Sequence, residues 1–107
     1  MPTHKWRDYV IERMRAHPED IPGYLNACMD EGEATFLIGL KTVIASRFGG
    51  PTGLSRKIDL HRVTIQNMLS DHGNPRLDSL GKVLGALGMK LMVGPMDESA
   101  SKDVAVD

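Results

Sequence analysis

Apolar residues recur every three to four positions along most of the chain, and this period predicts amphipathic helices. The strongest repeat runs from Glu33 to Phe48, where the glycines and proline at 49–51 stop the helix. The same period covers residues 5–16, 20–31 and 77–87. Together with two shorter helices in the middle of the chain, these segments predict an all-α fold, a bundle of five or six helices.

Residues that cap or break helices separate these segments. Pro18 ends the first helix, because the residue before a proline avoids the helical region. Asp20 is a candidate N-cap for the second helix, and Gly32 ends that helix. Gly88 closes the last helix in the same way. The connections are therefore short, as in a single small domain.

The C-terminal part departs from the helical pattern. Residues 90–93, Lys-Leu-Met-Val, predict one short β-strand bounded by glycine and proline. Because the chain offers no second strand, we expect the same strand of a second copy to pair with it and form a homodimer. The alternatives are packing on the chain's own helices and pairing with another protein. Residues 96–107 are small and acidic and predict a flexible tail, which leaves residues 1–95 as the domain.

The middle of the chain predicts a helix-turn-helix, two short helices at 52–58 and 61–70 joined by a tight turn at Asp59 and Leu60. Thr52 is expected to cap the first helix, and Ser55 is the small residue where the two helices meet. The inward face of the pair is apolar and consists of Leu54, Ile58, Leu60, Ile65, Met68 and Leu69. The two helices can therefore dock against each other.

Polar and basic side chains remain on the outer face of this pair, and they are the candidate DNA-binding residues. Arginine, glutamine and asparagine can form paired hydrogen bonds with base edges in the major groove, which the second helix of a helix-turn-helix reads. Arg56, Lys57 and Arg76 are expected to contact phosphates instead. The full candidate set is Thr52, Arg56, Lys57, His61, Arg62, Val63, Gln66, Asn67 and Arg76. The alternative is a small bundle whose second short helix is only a solvated face.

The distribution of charge favours a local contact with DNA. The formal net charge is −1, which is not the strongly basic balance of a general nucleic-acid binder. Residues 41–76 nevertheless contain six basic and two acidic residues, whereas four acidic residues and one lysine follow residue 96. A positive centre of this size suits a site-specific contact with double-stranded DNA.

Other chemistry is not indicated by the sequence. Cys28 is the one cysteine, so it excludes an internal disulfide, and its place on an apolar stripe predicts a core residue. The four histidines show no metal-ligand spacing with it, and Gly49-Gly50 lacks the Gly-Lys-Ser/Thr ending of a phosphate loop. We expect no enzymatic activity, catalytic residue, cofactor or metal. Because the sequence shows neither a membrane-spanning run nor a signal peptide, we expect a cytoplasmic location.

Several stretches of the chain carry a family resemblance. They are Tyr24-Leu25-Asn26-Ala27, Asp30-Glu31-Gly32, the run from Leu69 to Asp78, and Lys-Val-Leu-Gly-Ala-Leu-Gly at 82–88. With the long helix before the helix-turn-helix and the strand after it, they resemble the addiction-module antidote family over roughly residues 8–95. Members of that family are helix-turn-helix antitoxins of the phage-repressor-like superfamily.

The resemblance implies a DNA-binding transcriptional regulator, the antitoxin of a type II toxin–antitoxin system. Such an antitoxin binds a ribonuclease-type toxin and represses its own operon. One alternative is a protein-binding module that covers a toxin and binds little DNA. The other is a stand-alone phage-type regulator without a toxin.

The chain departs from the family pattern within the helix-turn-helix. Asp59 stands where the turn usually has glycine, His61 stands at the usual serine or threonine cap, and Ser55 replaces the usual alanine. The usual glycine supplies left-handed backbone, which aspartate adopts more easily than most residues do. We therefore expect the turn to keep this conformation at some energetic cost.

Overall fold

Helices account for most of residues 4–70 and 73–96, the part of the chain that the structure, a computed structural model, describes. In chain order they are α1 (His4–Ala16), α2 (Ile21–Glu31), α3 (Glu33–Phe48), α4 (Pro51–Ser55), α5 (Arg62–Met68) and α6 (Leu77–Ala86). A short 3-10 turn at Pro18–Asp20 precedes α2. The predicted all-α class is confirmed. None of the helices in this part of the chain is long and apolar enough to span a membrane.

The long helix α3 forms the centre of the fold. Both α1 and α2 pack against it, and α4 contacts its C-terminal end. Leu40 and Val43 of α3 are completely buried, and they belong to the same apolar cluster as Ile65 of α5 and Val83 of α6. One hydrophobic core therefore joins the N-terminal helices to the two short helices α4 and α5, and it fixes how α5 is presented to solvent.

Glycines end the helices where the sequence predicts. Gly49 and Gly88 have φ angles of 80° and 77°, the left-handed backbone that closes α3 and the last helical turn after α6. Asp20 occupies the N-cap position of α2, but its side chain makes no capping hydrogen bond. A capping residue usually has extended backbone, whereas Asp20 continues the preceding 3-10 turn with φ −85° and ψ −8°. Its carboxylate lies 3.8 Å from the guanidinium of Arg13 instead.

The bounds of the two short helices differ from the prediction. Thr52 is not the N-cap of α4, because Gly50 holds that position and Pro51 is the first helical residue. Proline suits this position, since its fixed φ is helical and its missing N–H would have no partner there. The helix ends at Ser55, three residues earlier than predicted, and α5 is confined to Arg62–Met68. The connection between them is therefore six residues long instead of two.

The expected left-handed turn at Asp59 is also wrong. Among the described residues, only glycines have a positive φ. The six-residue connection spreads the change of chain direction over several residues with ordinary backbone, and the amide of Lys57 donates to the carbonyl of Leu54 at 2.8 Å where it begins. Because no single residue has to adopt the left-handed region, aspartate replaces the usual glycine without that cost.

Residues 90–93 contain no regular secondary structure in the single chain. The predicted strand does not form there, because a strand needs a partner and the described part of the chain offers none. Leu91 is 43% and Val93 100% exposed. Asp71 and His72 of the predicted loop, and residues 97–107 of the predicted acidic tail, lie outside the described residues.

Cys28 is a core residue of α2 that faces Gly39 of α3. A Cβ atom on Gly39 of α3 would lie only 2.7 Å from the Cys28 Sγ, so glycine is needed at this crossing. Burial raises the pKa of the Cys28 thiol. The prediction that this cysteine packs in the core is thus confirmed, and a high pKa disfavours the reactive thiolate.

Candidate nucleic-acid interface

The pair of helices α4 and α5 is held together by the apolar face that the sequence predicts. Leu54, Ile65 and Met68 are buried, and Ile58 and Leu60 of the connection are half-buried against the same core. The Nζ of Lys82 in α6 donates to the carbonyl of Asp59 at 3.3 Å. The apolar packing and the hydrogen bond from Lys82 together fix the position of the connection. The connection in turn sets the direction of α5.

Gly53 is a structural determinant of this pair that the sequence reasoning missed. A Cβ atom at this position would lie 1.9 Å from the carbonyl oxygen and 3.0 Å from the carbonyl carbon of Phe48. Ser55, which we expected to be the small residue where the two short helices meet, donates its hydroxyl to the carbonyl of Thr52 at 2.7 Å. The close approach lies between α4 and the end of α3. A glycine inside so short a helix, where alanine is the better helix former, was the available signal.

His61 caps α5 in place of the usual serine or threonine. It lies in the extended region, with φ −68° and ψ 146°, and its Nδ1 accepts a hydrogen bond from the amide of Val63 at 3.4 Å. This bond satisfies one of the backbone donors that a helix leaves free in its first turn. The exposed imidazole of His61 is thus hydrogen-bonded to its own helix, and α5 begins at the next residue, Arg62.

All nine candidate residues are exposed. Successive residues of an α-helix are separated by about 100° around its axis. At this spacing, Val63 and Asn67 lie nearly opposite the buried residues of α5. Gln66 and Arg62 lie on one flank of that face and Thr64, which was not among the candidates, on the other. Thr52 lies within α4, whereas Arg56 and Lys57 follow its end. The structure therefore gives α5 a continuous polar side with one apolar member, Val63.

A shallow groove of about 430 Å³ connects α5 to the start of α6. Asn67 and Arg76, nine positions apart in the sequence, both line it. Asn74, which the sequence reasoning did not select, also lines this groove. The loop after α5 thus brings Arg76 beside the outward side of α5, which its place in the sequence alone did not establish.

Arg76 has an acidic neighbour. Its Nε donates to Asp78 Oδ1 at 3.2 Å, and the backbone amide of Ser79 donates to the same oxygen at 2.8 Å. These two hydrogen bonds hold the pKa of the Asp78 carboxyl below its usual range, and the bond from Arg76 is the larger cause. The guanidinium of Arg76 is exposed, but the negative charge of the Asp78 carboxylate partly offsets its positive charge.

The structure shows no metal centre in the part of the chain that it describes. No group of three or more His, Cys, Asp or Glu side chains among those residues could hold a metal ion. The exposed side of α4 and α5 offers hydrogen-bond donors and acceptors and positive charge, which suit non-covalent binding.

Fold and surface together define a small all-α protein whose central short helices present a polar, basic face. Comparison with protein families goes further. The family model described as "Probable addiction module antidote protein" matches residues 7–95. The chain therefore belongs to the addiction-module antidote family, the antitoxins of toxin–antitoxin systems. Comparisons with curated proteins and with solved structures gave no match.

Proposed function

We propose that this antitoxin is a sequence-specific DNA-binding regulator that represses the operon encoding it. In this proposal α4 and α5 form a helix-turn-helix, and α5 enters the major groove. The observation that carries the proposal is that α5 has one side buried in the core and one exposed polar side. Ile65 and Met68 are buried in the core, while Arg62, Gln66 and Asn67, side chains suited to base edges, are exposed on the other side.

The proposed mechanism uses contacts alone. Arg56 and Lys57 after α4, and Arg76 before α6, flank α5 on both sides along the chain. Their positive charges would neutralise phosphates and release counterions, which supplies affinity without sequence preference. The side chains of α5 would then distinguish base pairs. A cytoplasmic location is part of this proposal, since a repressor must reach the DNA that encodes it.

The test is binding of the full chain to the DNA upstream of its own gene, measured at several salt concentrations. We expect binding to this duplex to exceed binding to a shuffled duplex of the same composition, and both affinities to fall as salt rises. Equal affinity for the two duplexes at every salt concentration would contradict sequence-specific recognition. It would favour the alternative of a module that covers a toxin with little DNA binding.

A second surface supports toxin binding, the other half of the proposed function. Trp6 and Tyr9 of α1 stack with ring centroids 5.8 Å apart, and both are more than half exposed. Ile38 of α3 is 64% exposed and lines a groove of about 240 Å³ together with Trp6 and Lys41. Exposed aromatic residues beside a groove are typical anchors of protein interfaces. We propose that the ribonuclease-type toxin docks here, away from α5.

Substitution of this surface is expected to weaken toxin binding. Tyr9→Ala and Ile38→Ala should each reduce the affinity for the protein encoded beside this gene by about 5- to 30-fold, the effect of removing an interface anchor. Titration calorimetry with the full-length chain would measure it. Leu77→Ala is the control, because Leu77 is 75% exposed but lies in α6, which contributes no residue to the groove. If the control weakens binding as much as Tyr9→Ala and Ile38→Ala do, the docking surface is elsewhere.

We also propose a homodimer in which residues 90–93 of two copies pair as antiparallel strands. Leu91, Met92 and Val93 are exposed in the single chain, as an unpaired apolar edge would be. Such a dimer would place two recognition helices about 34 Å apart, one turn of the duplex, on a palindromic site.

Val93→Pro is expected to weaken self-association, because proline removes one amide donor from the ladder. Val93→Thr keeps both the amide and the branched side chain and is the control. Sedimentation should show the wild type and the threonine variant as dimers at tens of micromolar, and the proline variant shifted toward monomer. A monomeric wild type at that concentration would exclude the dimer as a stable species.

Asp78→Asn is expected to strengthen DNA binding about two- to fivefold at low salt. The asparagine oxygen can still accept from the amide of Ser79, but the charge that faces Arg76 is gone. The full positive charge of the Arg76 guanidinium would then be available to a phosphate, and the affinity for DNA would depend more steeply on salt. Asp30→Asn in α2 removes the same charge away from this surface. Equal effects of the two variants would show that only net charge matters.

A further inference from the structure

The exposed side of α5 carries one apolar residue among polar ones. Val63 is 45% exposed, and it lies one helical turn before Asn67 on the side opposite buried Ile65. An exposed valine is common on protein surfaces and means little alone. Here it occupies the second residue of the proposed recognition helix, and its backbone amide is fixed by the His61 cap. Its position relative to the bases would therefore be well defined.

The major groove offers one apolar group to such a side chain. Base edges present hydrogen-bond donors and acceptors, and only thymine adds a methyl group at C5. Cytosine and the purine edges would leave Val63 against polar atoms that have lost their water. Four residues span about 6 Å along a helix, and successive bases are about 3.4 Å apart along a strand. Val63 and Asn67 would thus face bases one or two steps apart.

We propose that Val63 reads a thymine methyl group in each half-site and so makes this chain select an A·T pair at that position. Asn67, one turn further along the same face, contacts the neighbouring region of the groove, where its amide is suited to adenine. This inference rests on the proposed DNA binding. It adds the chemistry of the recognised base, which neither the charge of the surface nor the family match provides.

The test uses DNA that the protein itself selects. Full-length chain is used to enrich tight-binding duplexes from a random pool, and each thymine of the best duplex is then replaced in turn by uracil. Uracil pairs as thymine does but lacks the methyl group. We expect one thymine per half-site whose replacement weakens wild-type binding by about three- to tenfold, the effect of losing one buried methyl contact.

Val63→Ala identifies the residue that makes the contact. The variant should bind the thymine and uracil duplexes equally, because the valine methyl groups that touch the thymine are absent. Thr64→Ala, an exposed neighbour on the flank of the same helix, should keep the full preference for thymine. Alanine favours helices more than either residue does, so neither variant should unfold α5.

The outcomes separate this inference from the proposed function. If no duplex is enriched, the proposed DNA binding is wrong and the inference falls with it. If a duplex is enriched, but Val63→Ala keeps the same thymine preference as wild type, DNA binding stands and the assignment of Val63 is overturned. The same conclusion follows if no thymine-to-uracil replacement changes wild-type affinity.

Discussion

Replacing Gly53 with alanine is expected to lower the free energy of unfolding by about 1–3 kcal/mol, the usual range for overpacking a core contact. The new methyl group would lie 1.9 Å from the carbonyl oxygen of Phe48. Because that oxygen belongs to the backbone at the end of α3, no side-chain rotation relieves the contact, and α4 must move away. Urea unfolding followed by circular dichroism would measure the loss.

Gly81→Ala is the matched control for this prediction. Gly81 lies in α6 and is exposed, and a Cβ atom at this position would meet no neighbouring group within 4 Å. Alanine there should raise stability by up to about 1 kcal/mol, because glycine is the poorer helix former. The same substitution is thus expected to have opposite signs in the two helices. Two stabilised variants would show that α4 does not depend on the close approach to Phe48.

Arg62→Ala and Asn67→Ala are each expected to reduce operator affinity by about 1–3 kcal/mol, the value of one good contact to a base. They should also relax discrimination at the base pair that each contacts. Both side chains are exposed on α5 and neither belongs to the apolar cluster, so the fold should be unaffected. Gel-shift titration with the operator and with a shuffled duplex measures affinity and discrimination together.

Arg56→Ala and Lys57→Ala test the proposed contacts to phosphates, for comparison with the two variants of proposed base contacts. If these residues contact phosphates, their loss should weaken binding to the operator and to the shuffled duplex alike, and it should reduce the salt dependence by about one charge each. An Arg62→Ala variant with unchanged operator affinity would show that Arg62 makes no base contact. Equal losses on both duplexes would assign Arg62 to the phosphates instead.

The proposed surface could be predicted as a set of residues but not as an arrangement. The nine candidates follow from an apolar pattern that turns Ile65, Met68 and Leu69 inward, and all nine are exposed in the structure. Their roles remain predictions. The shared groove of Arg76 and Asn67 depends on how the chain folds back after α5, and spacing along the sequence does not encode that arrangement. The pairing of Arg76 with Asp78 and the His61 cap on Val63 are local contacts between residues two positions apart, and the sequence reasoning missed them.

By itself, the sequence determined the helical class and the ends of the long helix. The period of Phe36 to Ile44 marks α3, and the glycines at 49 and 50 stop it, because both effects act between residues that are near in the chain. Tertiary structure decided the short helices. Packing of α4 onto Phe48 requires Gly53, and a longer connection spares Asp59 the left-handed region. A helix of five or seven residues is too short to form by its own hydrogen bonds, so its bounds are set by the core against which it packs.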